Sequence, residues 1–456
     1  MLSLIRFAFV FSALLGLAQA ALHPIEVKGN AFFNSKSGDR FFIRGVDYQP
    51  GGSSNLTDPL ADEDVCSRDV PYFKDLGINT IRVYSVDNSA DHDACMKLLD
   101  DAGIYLLLDV NTPDASISRL DPGCSYNSDY LQNVFATIDA FESYDNVLGF
   151  FAGNEVINNV DTLFAAPYVK AVVRDMKKYI KARSYRSIPV GYSSADIASV
   201  RVELAHYFNC GNDTNARVDM FGINDYSWCG HSSFSVSGYS EKVSLYEGYS
   251  VPMFLSEYGC NEVSGARPFT EVGSIYSTQM SGVFSGGLVY EYSEEGSNYG
   301  LVTIDGDSVT TSTDFDNLKS ELNSTSNPSG DGGYSKSNSI SSCPTDWNFT
   351  IAVPDTPDGA ETYFKNGAGT PLGFDVGDTQ GSCDDDVTLI TTTNVKTTSS
   401  KTKSVSKTTT TKESSSSSTA TSTSTTTSSS SKAMAAAAEY GSLATLFTVL
   451  CSVLLL

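Results

Sequence analysis

The chain has 456 residues, with 30 basic against 54 acidic side chains and a net charge of −24. Such a charge repels phosphate backbones, which excludes nucleic acid as a partner and suits a neutral polymer or acidic surroundings.

At the N-terminus, Arg6 precedes an apolar run over 7–17 that closes in Ala18-Gln19-Ala20. This is the pattern of a secretory leader over 1–20, with the mature chain starting at Ala21. The run is shorter than the ~20 apolar residues that cross a bilayer. Export fits the cysteines: nine are present, and Cys451 lies in a tail expected to be removed, leaving an even set suited to disulfides. It also fits the sequons at Asn55, Asn212, Asn323 and Asn348 as N-glycan acceptors.

Eight apolar or β-branched runs follow, at 41–48, 78–86, 104–110, 147–156, 188–193, 220–226, 251–258 and 287–292. Amphipathic stretches at 65–76, 91–102, 130–141, 168–183 and 315–322 alternate with them. This rhythm predicts an α/β fold, a (β/α)8 TIM barrel over 21–322. A doubly wound open sheet is the competing reading, and no run leads into the Gly-x-Gly-x-x-Gly turn that would favour it.

Beyond the barrel, 323–387 reads as a short linker and appendage holding Cys343 and Cys383. Residues 388–432 are almost all Ser, Thr and Lys, without apolar periodicity, and read as a disordered, glycosylated stalk. Small residues, a polar spacer and the apolar tail 443–456 make 433–456 a GPI-attachment signal, with Ser431 and Ala433 as attachment candidates.

In a (β/α)8 barrel the chemistry sits where strands end, so polar residues closing apolar runs come first. Asn154-Glu155 closes the fourth run and Ser256-Glu257 the seventh. A single Glu there usually marks a turn to solvent, but two facing one mouth fit glycosidic bond cleavage. That reaction needs one carboxylic acid to protonate the leaving oxygen and one carboxylate on the opposite face, ~5 to 5.5 Å away in retaining enzymes. Glu155 is assigned as general acid/base and Glu257 as nucleophile. Asn154 is placed to bond a sugar 2-hydroxyl, and Tyr48, Tyr84, Tyr226, Trp228, Tyr290 and Tyr292 are read as an aromatic ring around the mouth. Four histidines without His-x-x-x-His or Cys-x-x-Cys spacing give a metal site little support, and no Gly-x-Ser-x-Gly elbow is present. No cofactor is implied, because double displacement at an anomeric carbon needs only the two carboxyl groups.

Five stretches are similar to the fungal GPI-anchored β-1,3-glucanosyltransferases of glycoside hydrolase family 72. They are Gly45-Val46-Asp47-Tyr48-Gln49-Pro50-Gly51-Gly52-Ser53-Ser54, Asn79-Thr80-Ile81-Arg82-Val83-Tyr84, Asn154-Glu155-Val156, Phe254-Leu255-Ser256-Glu257-Tyr258-Gly259-Cys260 and Gly286-Gly287-Leu288-Val289-Tyr290-Glu291-Tyr292. The resemblance implies that a β-1,3-glucan donor is cut internally and that the glycosyl group on Glu257 passes to the end of an acceptor glucan, lengthening it. It implies the outer face of the plasma membrane, through a GPI lipid, and the cell wall as the location. It also implies Gln49, Tyr84, Asp109, Asn154, Tyr226 and Tyr290 as sugar or carboxylate contacts, and disulfides Cys66–Cys95, Cys210–Cys343 and Cys229–Cys260. Cys124 and Cys383 are left over, with their pairing open. Having only two cysteines after the barrel, the chain resembles the subtype without a cysteine-rich carbohydrate-binding module. Hydrolysis, as in a plain endo-β-1,3-glucanase, uses the same carboxylates and is the alternative. A wall-structural glycoprotein with a dead barrel would predict damage at Asn154, Glu155 or Glu257, and all three are intact.

Overall fold

β1 (Ile25–Lys28), β2 (Ala31–Asn34) and β3 (Arg40–Phe41) form a small antiparallel sheet. Eight parallel strands then close a barrel: β4 (Ile43–Asp47), β5 (Thr80–Val83), β6 (Tyr105–Asp109), β7 (Val147–Asn154), β8 (Val190–Ala195), β9 (Met220–Asn224), β10 (Met253–Tyr258) and β11 (Phe284–Val289). They pair in chain order, and β11 returns to β4. This computed structural model describes residues 21–52 and 55–380. The expected leader, stalk and anchor signal, with Ser431, Ala433 and Cys383, lie outside the described residues.

Every expected run supplies one barrel strand, because strands covered by helices outside and side chains inside are apolar throughout. Ile43, Leu107, Leu148, Phe151, Met220, Phe254 and Leu288 pack together with Ile25 and Phe32 of the small sheet, which meets the N-terminal end of the strands. The eighth strand lies three residues earlier than its expected start at Gly287. Within it Gly286 has φ 97°, and a Cβ there would stand 2.0 Å from the Ile43 carbonyl oxygen. Only glycine lets the last strand lie against the first.

The helices are α1 (Glu63–Leu76), α2 (Asp93–Ala102), α3 (Pro122–Ser125), α4 (Ser128–Phe141), α5 (Ala166–Ala182), α6 (Arg201–Phe208), α7 (Tyr239–Tyr246), α8 (Val272–Ile275) and α9 (Thr313–Ser324). Their ends follow local chemistry: the Asp62 side chain accepts from the Asp64 N–H at the start of α1, and Gly77 ends that helix at φ 74°. Between β11 and α9 lies the hairpin β12 (Val302–Asp305) and β13 (Ser308–Thr311). α9 runs two residues past the expected boundary at 322, so Asn323 sits in a helix and not in the linker.

Residues 325–380 lie along the outside of the barrel and include α10 (Glu361–Asn366). Asn338 donates to the Tyr249 carbonyl at 2.8 Å, Tyr207 donates to the Ile351 carbonyl at 2.8 Å, and Gln132 donates to the Ala368 carbonyl at 3.0 Å. The Cys210–Cys343 disulfide ties this segment to the chain after α6. Cys66–Cys95 joins α1 to α2, and Cys229–Cys260 joins the loops after β9 and β10. Cys124 is disulfide-bonded as well. No helix among the described residues is long and apolar enough to cross a membrane.

Candidate active site

The strand ends at the C-terminal mouth surround a cleft of about 540 Å³, lined by Glu155 and Glu257 together with Tyr84, Asp109, Asn154 and Tyr290. The strand register puts Glu257 of β10 beside Asn224 of β9.

Glu257 is 7% exposed and accepts three hydrogen bonds. Tyr84 donates to Oε1 at 2.9 Å, Arg82 Nη1 donates to Oε1 at 3.2 Å, and Tyr226 donates to Oε2 at 2.7 Å. Burial pushes the Glu257 carboxyl up, to about 7; Arg82 and the two tyrosine hydroxyls pull it down, while the charge of Glu155 pushes with burial. Donors aimed at both oxygens favour the ionised form.

Arg82 is fully buried in the middle of β5. Its Nε and Nη2 grip Asp109 at 3.0 and 2.9 Å, its Nη1 reaches Glu257, and its guanidinium lies over the rings of Tyr84 and Phe151. A cation there requires carboxylates around it, and Asp109 supplies the bidentate partner. Asp47 at the end of β4 is also fully buried, yet neither of its carboxylate oxygens has a hydrogen-bond partner. Burial raises it well above the usual carboxylate range, against the pull of Arg82, and the charges of Glu257 and Asp109 push the same way as burial.

Glu155 follows β7 with φ 47°, a left-handed conformation unusual for a residue with a side chain. Its backbone is held on both sides: its N–H donates to the Ser193 carbonyl at 2.9 Å, and Arg119 Nη2 donates to its carbonyl at 2.9 Å. Asn224 Nδ2 donates to Glu155 Oε1 at 2.9 Å and to Asn154 Oδ1 at 3.1 Å. The hydroxyls of Ser193 and Ser256 donate to Asn224 Oδ1 at 3.0 and 2.8 Å, which fixes the orientation of that amide. Sequence reasoning missed Asn224 and Arg82 as site residues. Both carried a signal, a polar residue closing or interrupting an otherwise apolar strand.

Two expectations change. Gln49 does not line the cleft: its Oε1 accepts from the N–H groups of Tyr84 and Ser85 at 3.0 and 3.2 Å, and its Nε2 donates to the Thr57 carbonyl at 2.9 Å. It positions Tyr84, because both ends of its amide are occupied. The aromatic ring also narrows. Tyr48 and Tyr292 both donate to Asp69 of α1, at 2.8 and 3.0 Å, and pack on Phe73, since alternation after Asp47 turns Tyr48 away from the barrel interior. Trp228 is buried and donates to Thr270 at 3.0 Å. Tyr84, Tyr226 and Tyr290 remain around the carboxylates, joined by Tyr299, whose ring meets Tyr226 at 5.5 Å and Tyr290 at 5.3 Å.

A family model described as Glucanosyltransferase matches residues 14–326. The chain is 68% identical to the 1,3-beta-glucanosyltransferase GAS5 of Saccharomyces cerevisiae, over 83% of this chain and 79% of that one. It is 60% identical to the 1,3-beta-glucanosyltransferase PGA4 of Candida albicans, over 84% of each. The structure of Saccharomyces cerevisiae Gas2p in complex with laminaripentaose superposes with a TM-score of 0.69 at 43% identity, covering 75% of this chain and 78% of that one. With a closed barrel, two strand-end glutamates in one cleft and these relatives, the chain belongs to the glucanosyltransferase family, glycoside hydrolase family 72.

Proposed function

We propose that the chain is a retaining β-1,3-glucanosyltransferase that cuts a β-1,3-glucan internally and joins the new reducing end to the non-reducing end of another. Glu257 attacks the anomeric carbon while Glu155 gives its proton to the departing glycosidic oxygen. The C–O bond breaks, the reducing-side fragment leaves, and the glycosyl group is esterified to Glu257. Glu155, now a carboxylate, takes the proton from an acceptor hydroxyl, whose oxygen attacks the same carbon and frees Glu257. Two inversions leave the anomeric configuration as it began.

The observation that carries this reading is the division of donors between the two carboxylates. Arg82, Tyr84 and Tyr226 converge on Glu257 and support negative charge there, whereas Glu155 receives one neutral amide from Asn224. Asn154, held beside Glu155 by the same amide, is placed for a sugar 2-hydroxyl, and Tyr290 offers a ring to a sugar face. Export, the GPI lipid and action at the outer face of the plasma membrane and in the wall are supported by the leader, tail and sequon patterns. Asn55, Asn212, Asn323 and Asn348 are all exposed, as glycan acceptors must be.

The test is to incubate the secreted protein with a reduced laminari-oligosaccharide and size the products. Products longer than the input are expected, and only shorter ones would show a hydrolase. Glu155→Gln and Glu257→Gln are each expected to abolish turnover with the fold intact.

A further inference from the structure

Gln380 lines the same cleft as Glu155 and Glu257, although it follows the last barrel helix, α9, by more than fifty residues. The family model ends at 326, before the segment that brings Gln380 there. That segment is fastened at successive points. The Cys210–Cys343 disulfide holds it near α6, Arg174 of α5 donates to Thr356 at 3.1 Å, and Gln132 of α4 donates to the Thr370 carbonyl at 3.0 Å. Gly373 then donates its N–H to Asn88 at 2.9 Å, where a Cβ would stand 2.0 Å from an Asp87 carboxylate oxygen.

At Thr379 and Gln380 the segment meets the loop between β6 and α3. The Thr379 N–H donates to the Asp114 carbonyl at 2.9 Å, and Gln380 Nε2 donates to the Pro113 carbonyl. The same loop carries Arg119, which holds the Glu155 carbonyl, and Leu120, which is 83% exposed. An exposed apolar residue on a cleft wall, next to a guanidinium and a carboxamide, matches a pyranose ring, which has apolar C–H faces and a hydroxyl rim. With Nε2 given to the Pro113 carbonyl, the carboxamide Oε1 is the atom of Gln380 that would accept from a sugar hydroxyl.

We propose that Arg119, Leu120 and Gln380 form the subsite that receives the acceptor glucan, with Gln380 as a specificity-determining residue delivered by the post-barrel segment. This rests on Glu155 being the acid/base. The leaving fragment departs past that residue and the acceptor enters past it, so a wall attached to the Glu155 backbone faces the acceptor. Water needs no such wall. The subsite therefore governs how the glycosyl enzyme divides between transfer and hydrolysis.

The experiment measures the ratio of elongated to hydrolysed product, against acceptor concentration, for wild type, Gln380→Ala, Gln380→Leu and Leu120→Ser, with a laminari-oligosaccharide as donor and acceptor. Each variant is expected to lower the ratio about five-fold, the effect of one lost hydrogen bond or apolar contact, and to need more acceptor to recover it. The thermal midpoint of each reports folding. Transfer and hydrolysis falling together at an unchanged ratio, or an unchanged ratio with undiminished activity, overturns the proposal. A wild type that elongates nothing overturns the functional reading beneath it as well.

Discussion

Around Glu257 three donors work against burial, and each can be removed singly. The carboxylate must be ionised to attack, so the acid limb of kcat/KM follows its ionisation. The Tyr226 hydroxyl bonds Oε2 at 2.7 Å and favours the charged form. Tyr226→Phe removes that support, raises the carboxyl further, and is expected to move the acid limb to higher pH by about 0.5 to 1 pH unit. A pH profile of the variant checks this, and an unmoved limb would show that Tyr226 does not act through Glu257. The two glutamates were legible in the sequence because each ends an apolar run with a charge. Arg82 was less so: an arginine within Thr80-Ile81-Arg82-Val83 reads as a strand edge until β6 and β10 bring Asp109 and Glu257 to it. Asn224 closes its strand as Asn154-Glu155 closes β7, but an amide becomes a site residue only when its partner from another strand is known.

At the scale of elements, the barrel strands and the helices expected at 65–76, 91–102, 130–141, 168–183 and 315–322 were readable, and the small sheets and the post-barrel segment were not. Strands buried on both faces are continuous apolar runs, and the described barrel strands are buried along almost their whole length. β1, β3 and the β12–β13 hairpin are short and partly exposed, so their patterns are weak. The post-barrel segment is rich in Ser, Gly and Asn and gives no periodic signal, because it is ordered by bonds to the barrel and not by a core of its own. Its strongest tie is the Cys210–Cys343 disulfide, which spans a sequence separation of 133. In the chain-entropy account, a bridge closing so long a loop restrains the unfolded chain strongly. Replacing both cysteines by serine is expected to cost about 3 to 5 kcal/mol, measured by urea unfolding, and to open residues 325–380 to proteolysis. Unchanged stability would mean that the remaining hydrogen bonds suffice to hold the segment.

The whole molecule stores protons in its interior. Burial is the first cause in raising Glu257, Glu271 and Glu291 each to about 7, and it also raises Asp47 and Asp109. In the unfolded chain a glutamate loses its proton near ~4.3. Between these values the folded state holds protons that the unfolded state has released, so their stabilisation is full below the unfolded pKa and is lost as pH rises through about 7. Self-repulsion from a net charge of −24 acts in the same direction. The thermal midpoint is expected to fall from mildly acidic to neutral pH by roughly 5 °C or more, and a midpoint that rose over that range would contradict the burial of these carboxyls. What the molecule does with its acids is tested most directly by trapping the covalent intermediate. A 2-deoxy-2-fluoro laminaribiosyl fluoride, whose fluorine slows both steps while its leaving group speeds the first, is mixed with the protein, and the digested chain is examined by mass spectrometry. The account predicts one glycosyl adduct, on the peptide carrying Glu257, and none in E257Q; an adduct on another residue, or turnover with inverted product and no adduct, would contradict it.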